Sequence, residues 1–120
     1  DENLAKALAK ESIERAEFVK RLIKYAENPK YILENIYDSI REIIEAKLAI
    51  DGFKSYSHEA TIAYLNKFKE FTDSEIRFLD EMRKVRNGIK YYGKNITKED
   101  SSRVIDFMEV ILPKLKELLN

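Results

Sequence analysis

Apolar residues recur every three or four positions along most of this chain, and that spacing predicts a series of amphipathic helices. The first is predicted over about residues 2–27 and the second over about 29–50. They are separated at Asn28-Pro29, because proline suits the first turn of a helix. In the first helix the positions at helical spacing are Leu4, Leu8, Ser12, Arg15, Val19, Leu22 and Ala26, with Ala5, Ala9, Ala16 and Ile23 alongside. In the second helix the predicted buried stripe includes Ile32, Ile36, Ile40, Ile43 and Leu48.

Two more helices are predicted beyond Gly52, a residue suited to the left-handed conformation that ends a helix. Ser57 can cap a third helix that runs to about Phe71. The fourth is predicted to start at Thr72 or Asp73, either of which can act as its N-cap, and to end near residues 92–93.

Residues 97–100, Thr-Lys-Glu-Asp, match the capping-box pattern and predict the start of a fifth helix that ends near Leu119. We expect Pro113 to kink or break that helix, because proline has no backbone N–H to donate. No segment shows the alternating pattern of a strand. The sequence therefore predicts an all-α protein, an up-and-down bundle of about five helices forming a single domain over residues 1–120.

Composition narrows the possible chemistry. The chain carries 22 Lys+Arg against 22 Asp+Glu, has no cysteine and has one histidine. A thiolate nucleophile and a cysteine metal site are therefore excluded, and no apolar run reaches the ~20 residues that span a bilayer. We expect a cytoplasmic protein that needs no cofactor and has no metal site.

Positive charge is concentrated in residues 83–94, which contain five basic residues and no acidic one. Helical spacing places the arginines, the asparagine and Lys90 of this segment on one face. Arginine can grip a phosphate with two hydrogen bonds, and a tyrosine can stack on a base. The predicted RNA- or nucleotide-binding residues are Arg83, Arg86, Asn87, Lys90, Tyr91 and Tyr92. The alternative is a helix end whose cations complement the helix dipole and whose tyrosines close the core.

Other candidate groups allow both a functional and a structural interpretation. His58 could act as a base, but we favour a role in capping or packing the start of the third helix. The acidic row of the second helix could collect a cation, or it could be a solvated face paired with Lys30 and Arg41. We favour the second interpretation for the row, which consists of Glu34, Asp38, Glu42 and Glu45.

Arg86-Asn87, followed by an aromatic pair near the end of the fourth helix, resembles the signature of the HEPN superfamily (higher eukaryotes and prokaryotes nucleotide-binding domains). Residues 36–49 look like the second helix of that family, and residues 52–58 resemble the loop and helix start that follow it. The resemblance implies a compact bundle of four or five helices. In catalytic members it implies a metal-independent endoribonuclease, in which two subunits bring their arginine and histidine motifs to one cleft.

This sequence departs from the family pattern where the motif histidine should fall, since residues 91–93 read Tyr-Tyr-Gly. The resemblance therefore predicts a homodimer that binds RNA or a nucleotide at a basic cleft at the dimer interface, without efficient catalysis. One alternative is a toxin-like endoribonuclease in which Tyr91, Lys90 or His58 replaces the usual base. Another is a partner or scaffold for a small nucleotidyltransferase in a toxin–antitoxin pair, with Tyr91 and Tyr92 as candidate acceptors.

Overall fold

The computed structural model is built from helices joined by short connections. It describes residues 1–93 and 95–120, with the side chains of residues 90–92 outside the description. Within these residues there is no strand, which confirms the all-α prediction, and no helix is long and apolar enough to cross a membrane. The α-helices are α1 (Glu2–Leu22), α2 (Pro29–Ile50), α3 (His58–Ala63), α4 (Asp73–Tyr92) and α5 (Lys98–Leu118), and a 3₁₀ turn (Tyr64–Lys67) follows α3.

The predicted caps are present at the helix ends. The Asn28 side chain accepts a hydrogen bond from the Lys30 N–H at the start of α2, next to Pro29. Thr72 and Thr97 each form a reciprocal capping box with the acidic residue three positions later. Gly52 follows α2 with φ +85°, a left-handed conformation that side chains other than glycine rarely adopt.

Two predicted boundaries and one predicted break were wrong. The third helix ends at Ala63 rather than near Phe71, because the chain tightens into a 3₁₀ turn and Phe68 then adopts an extended conformation. α1 ends at Leu22, five residues before the predicted boundary. α5 runs through Pro113 without a break, and that proline lies on its exposed side.

α2 is the central helix, and it packs against each of the other four α-helices. Its predicted stripe is confirmed, since Ile36, Ile40 and Ile43 are fully buried and the other two predicted members are also buried. The apolar face predicted for α1 is confirmed only in part, because Ser12 and Val19 are buried whereas Leu4, Leu8 and Leu22 are 58%, 41% and 40% exposed. Instead α1 buries mainly small residues, which let it lie close to α2; they are Ala5, Ser12, Ala16 and Val19.

Candidate functional site

A fully buried tyrosine occupies the face of α2 that points toward α4. Tyr37 is 0% exposed, and its hydroxyl forms no hydrogen bond with any described residue. Buried polar groups normally have a partner, since leaving one unpaired costs about 1–3 kcal/mol. An unpaired hydroxyl enclosed in this way is therefore a feature that needs a physical explanation.

Three arginines surround this hydroxyl closely enough for their charges to affect its ionisation. Arg41 lies one turn after Tyr37 on α2, whereas Arg83 and Arg86 reach the same place from α4. Their side chains are only 15–17% exposed. The packing of α4 on α2 therefore brings two of the predicted site residues beside an arginine that the prediction did not place in the site.

Each arginine in turn faces a carboxylate. Arg83 Nε donates to Asp80 Oδ1 at 2.8 Å, and Arg41 Nη1 donates to Glu45 Oε1 at 2.8 Å. Asp38 Oδ1 lies 3.4 Å from Arg86 Nη2 and 3.6 Å from Arg41 Nη2.

The two contacts of Asp38 are ion pairs that lack hydrogen bonds. Asp38 Oδ1 meets the geometric limits for a hydrogen bond with neither guanidinium, and the Arg41 Nε–H is also unpaired among the described residues. The three arginines are therefore balanced in charge by the carboxylates of Asp38, Glu45 and Asp80, but the group is incompletely hydrogen-bonded. We name Tyr37, Asp38, Arg41, Arg83 and Arg86 the arginine–tyrosine cluster.

The Tyr37 hydroxyl is a hydrogen-bond donor at any physiological pH. Burial raises the pKa of Tyr37 to about 12, although the three neighbouring arginines act in the opposite direction. The hydroxyl and the free Arg41 Nε–H are both donors. Together they suit an acceptor that carries several oxygen atoms.

His58 lies at the edge of the cluster. Its ring centroid is 6.3 Å from that of Tyr37, with the planes inclined at 56°. Burial lowers the pKa of His58 below 6.5, and the charges of Arg41 and Arg86 lower it further, whereas Glu45 and Asp38 raise it. The imidazole is therefore neutral at neutral pH and able to accept a proton.

A surface groove of about 530 Å³ opens beside His58. It is lined by Glu45, Ala49 and residues 53–58. Two aromatic side chains of this groove, Phe53 and Tyr56, are 52% and 88% exposed. Its volume lies in the range typical of small-molecule sites, and exposed aromatic rings can stack on a base.

The predicted site residues separate into two groups. Arg83 and Arg86 lie in the cluster, and Asn87 is half-buried on the same helix. The side chains of Lys90, Tyr91 and Tyr92 lie outside the described residues, so the stacking and acceptor roles predicted for them stay predictions.

Sequence reasoning missed Tyr37 and placed Arg41 only on a solvated face. The signal for Tyr37 was a polar hydroxyl within a continuous apolar stripe of α2. The acidic row does pair with arginines, as predicted for Asp38 and Glu45 with Arg41, while Glu42 pairs with Arg15 of α1 at 3.2 Å. Across residues 1–93 and 95–120, no group of three or more histidine or acidic side chains is arranged to hold a metal ion.

Comparison with models of known protein families finds no match for this sequence, and no curated protein matches it either. The resemblance to HEPN domains therefore stays a prediction.

Proposed function

We propose that this chain is a HEPN-like domain that binds a phosphate group of RNA or of a nucleotide at the arginine–tyrosine cluster, without efficient cleavage. The observation that carries the proposal is the enclosed Tyr37 hydroxyl, which has no hydrogen-bond partner among the described residues and lies close enough to three arginines for their charges to affect its ionisation. A phosphate offers several acceptor oxygens and negative charge at once.

Binding requires the arginines to exchange partners. Asp38 holds Arg86 and Arg41 at 3.4 and 3.6 Å, and neither contact has hydrogen-bond geometry. A phosphate could replace this carboxylate with bidentate contacts, which are shorter and stronger. The guanidinium groups must rotate to expose the Tyr37 hydroxyl, so we expect the ligand to order the arginine side chains.

The groove beside His58 would hold the rest of the ligand. Tyr56 is 88% exposed there, and its ring can stack on a base without any rearrangement of the core. Phe53 is fixed by an edge contact with Tyr64, at a centroid separation of 5.9 Å, so its exposed part forms a second, more rigid surface. Glu45 lines this groove and also accepts a hydrogen bond from Arg41, so a base in the groove and a phosphate at the cluster would be neighbours.

The test is titration of fluorescently labelled single-stranded RNA, and separately of ATP, at low and moderate salt. We expect Arg41→Ala and Arg86→Ala each to weaken binding roughly tenfold or more and to reduce its salt dependence. Arg77→Ala, on the same helix but exposed and outside the cluster, is the matched control and should bind as the native chain does. Equal affinity in all four proteins would refute the assignment.

For the groove, Tyr56→Ala should weaken RNA binding by about 1–3 kcal/mol, the usual value of one stacked base. Tyr31→Ala removes another exposed tyrosine, at the start of α2, and serves as its control. Weaker RNA binding in both variants, or unchanged RNA binding in both, would mean that the groove does not hold a base.

A second function is favoured by one observation, the position of His58. A neutral imidazole facing two arginines is suited to remove a proton from a ribose 2′-hydroxyl while the guanidinium groups stabilise the phosphate. The expected activity is a metal-independent endoribonuclease. Cleavage of end-labelled RNA in the presence of a chelator, abolished by His58→Ala and by Arg86→Ala, would establish it. If the native chain binds RNA and leaves it intact, the first proposal stands alone.

A further inference from the structure

α1 carries a second apolar stripe that is not used inside the molecule. Among the large apolar residues exposed on the protein, five lie on this helix or just beyond its end. With two charged residues between them, they form an unbroken series at alternating spacings of four and three positions. We name this series the outer face of α1; its members are Leu4, Leu8, Glu11, Arg15, Phe18, Leu22 and Tyr25.

Alternating spacings of four and three define a heptad repeat, the pattern by which two helices pack along their length. An adjacent side of α1, about a quarter turn around the helix, already packs on α2 through Ala5, Ser12, Ala16 and Val19. A heptad series on the remaining side therefore predicts a second helical partner, one that the described chain does not supply.

The order of residues in this face fits an antiparallel copy of itself. If two such helices cross at the level of Ile13, residues that are equally far from position 13 in sequence meet. The pairs are Leu4 with Leu22, Leu8 with Phe18, and Glu11 with Arg15. Every apolar residue in these layers then meets an apolar residue, and the two central layers join opposite charges. A parallel arrangement would instead place Glu11 against Glu11 and Arg15 against Arg15.

The exposed area is sufficient for a weak but specific interface. Leu4, Phe18 and Tyr25 are 58%, 55% and 85% exposed, and the other two leucines about 40%. Five such residues on each of two chains present on the order of 1,000 Å² of apolar surface, close to the lower limit for a specific protein interface.

We propose that the outer face of α1 pairs antiparallel, around a two-fold axis near Ile13, with the same face of a second copy of this chain. The interface is isologous, because the same residues come from both copies. Arg15 then shares its charge between Glu42 of its own chain, at 3.2 Å, and Glu11 of the second copy.

Charge reversal gives a sharp test by analytical ultracentrifugation. The native chain should be dimeric at concentrations near 100 µM, as expected for an interface of this size. Glu11→Arg and Arg15→Glu each place like charges in both central layers, so each should weaken dimerisation by roughly tenfold or more. An equimolar mixture of the two variants should recover dimers, because every central layer then joins an arginine to a glutamate.

Two further variants act as controls. Glu70→Arg and Arg77→Glu make the same changes of charge at exposed positions outside α1 and should leave the native dimer unchanged. Circular dichroism should show that all four variants keep the native helix content. A native chain that is monomeric throughout, or single variants that stay monomeric when mixed, would overturn the proposal.

Discussion

Removing one oxygen atom from Tyr37 should change stability and ligand binding in opposite directions. The residue is 0% exposed, and its hydroxyl has no partner among the described residues. In Tyr37→Phe the ring and its packing are retained, and only this enclosed hydroxyl is lost.

The expected gain in stability follows from the desolvation of the hydroxyl. An unsatisfied buried hydroxyl costs roughly 1–3 kcal/mol, so its removal should raise the free energy of unfolding by about 1–2 kcal/mol. For a chain of this length each 1 kcal/mol corresponds to roughly 3–6 °C in Tm. Binding should change the other way, because a hydrogen bond to a charged group contributes about 1.5–3 kcal/mol, equivalent to roughly 10- to 100-fold in Kd.

Thermal unfolding followed by circular dichroism measures the first effect, and RNA or ATP titration measures the second. Tyr31→Phe, which removes the hydroxyl of a half-exposed tyrosine on the same helix, is the matched control and should alter neither quantity. A destabilised Tyr37→Phe would show that the hydroxyl is satisfied in the folded chain. A stabilised variant with unchanged affinity would show that the cluster is not where the ligand binds.

Three further predictions concern charge, pH and capping. Asp38→Asn should strengthen phosphate binding roughly tenfold, and a direct titration measures this. The substitution removes a carboxylate whose attraction holds Arg86 by about 1–2 kcal/mol in this partly buried setting. Because the pKa of His58 is lowered on folding, the unfolded chain takes up this proton first as pH falls. The free energy of unfolding should therefore decrease as pH falls below about 6.5, and this part of the decrease should be absent in His58→Asn, as followed by urea unfolding. Thr97→Ala should cost about 1 kcal/mol of stability by breaking the capping box with Asp100, measured by the same urea titration.

The helices could be predicted from the sequence because their signals are local. Asn28-Pro29, Gly52 and the two threonine capping boxes each depend on residues within one helical turn, and each is confirmed. The extent of the third helix was not predictable in this way. Its apolar spacing continues to Phe71, but the chain leaves the helix before that residue, which is buried in the core.

Two of the five cluster residues could be predicted, and for a similar reason. Arg83 and Arg86 were found because they lie on one helix face within a segment free of acidic residues. Asp38, the carboxylate that faces Arg86, and the buried Tyr37 are on another helix, more than 40 positions away in sequence. Only the packing of α4 on α2 brings them together, and periodicity within one helix contains no information about that contact.

The same limitation explains why the buried face of α1 was predicted only in part. Two apolar stripes run along this helix, one of small residues and one of large residues, and periodicity alone does not tell which is buried. The small residues face α2 because a close approach of two helices favours small side chains at the contact. The large residues are therefore left on the surface, where a second copy can cover them.

The HEPN resemblance and the contacts seen in this structure lead to opposite predictions about whether phosphate binding needs a dimer. The HEPN resemblance implies a cleft shared by two subunits, so a monomeric variant should lose affinity. In this structure the described contacts of the cluster come from α2, α3 and α4, whereas α1 approaches it through Arg15, which pairs with Glu42 of α2 at 3.2 Å and lines a groove with Glu45. The Arg41–Glu45 hydrogen bond lies within α2 and does not depend on α1. We therefore expect Glu11→Arg and Arg15→Glu to bind phosphate as the native chain does. Because these substitutions change the net charge in opposite directions, a parallel loss of affinity in both could come only from the loss of pairing, and it would favour the shared cleft.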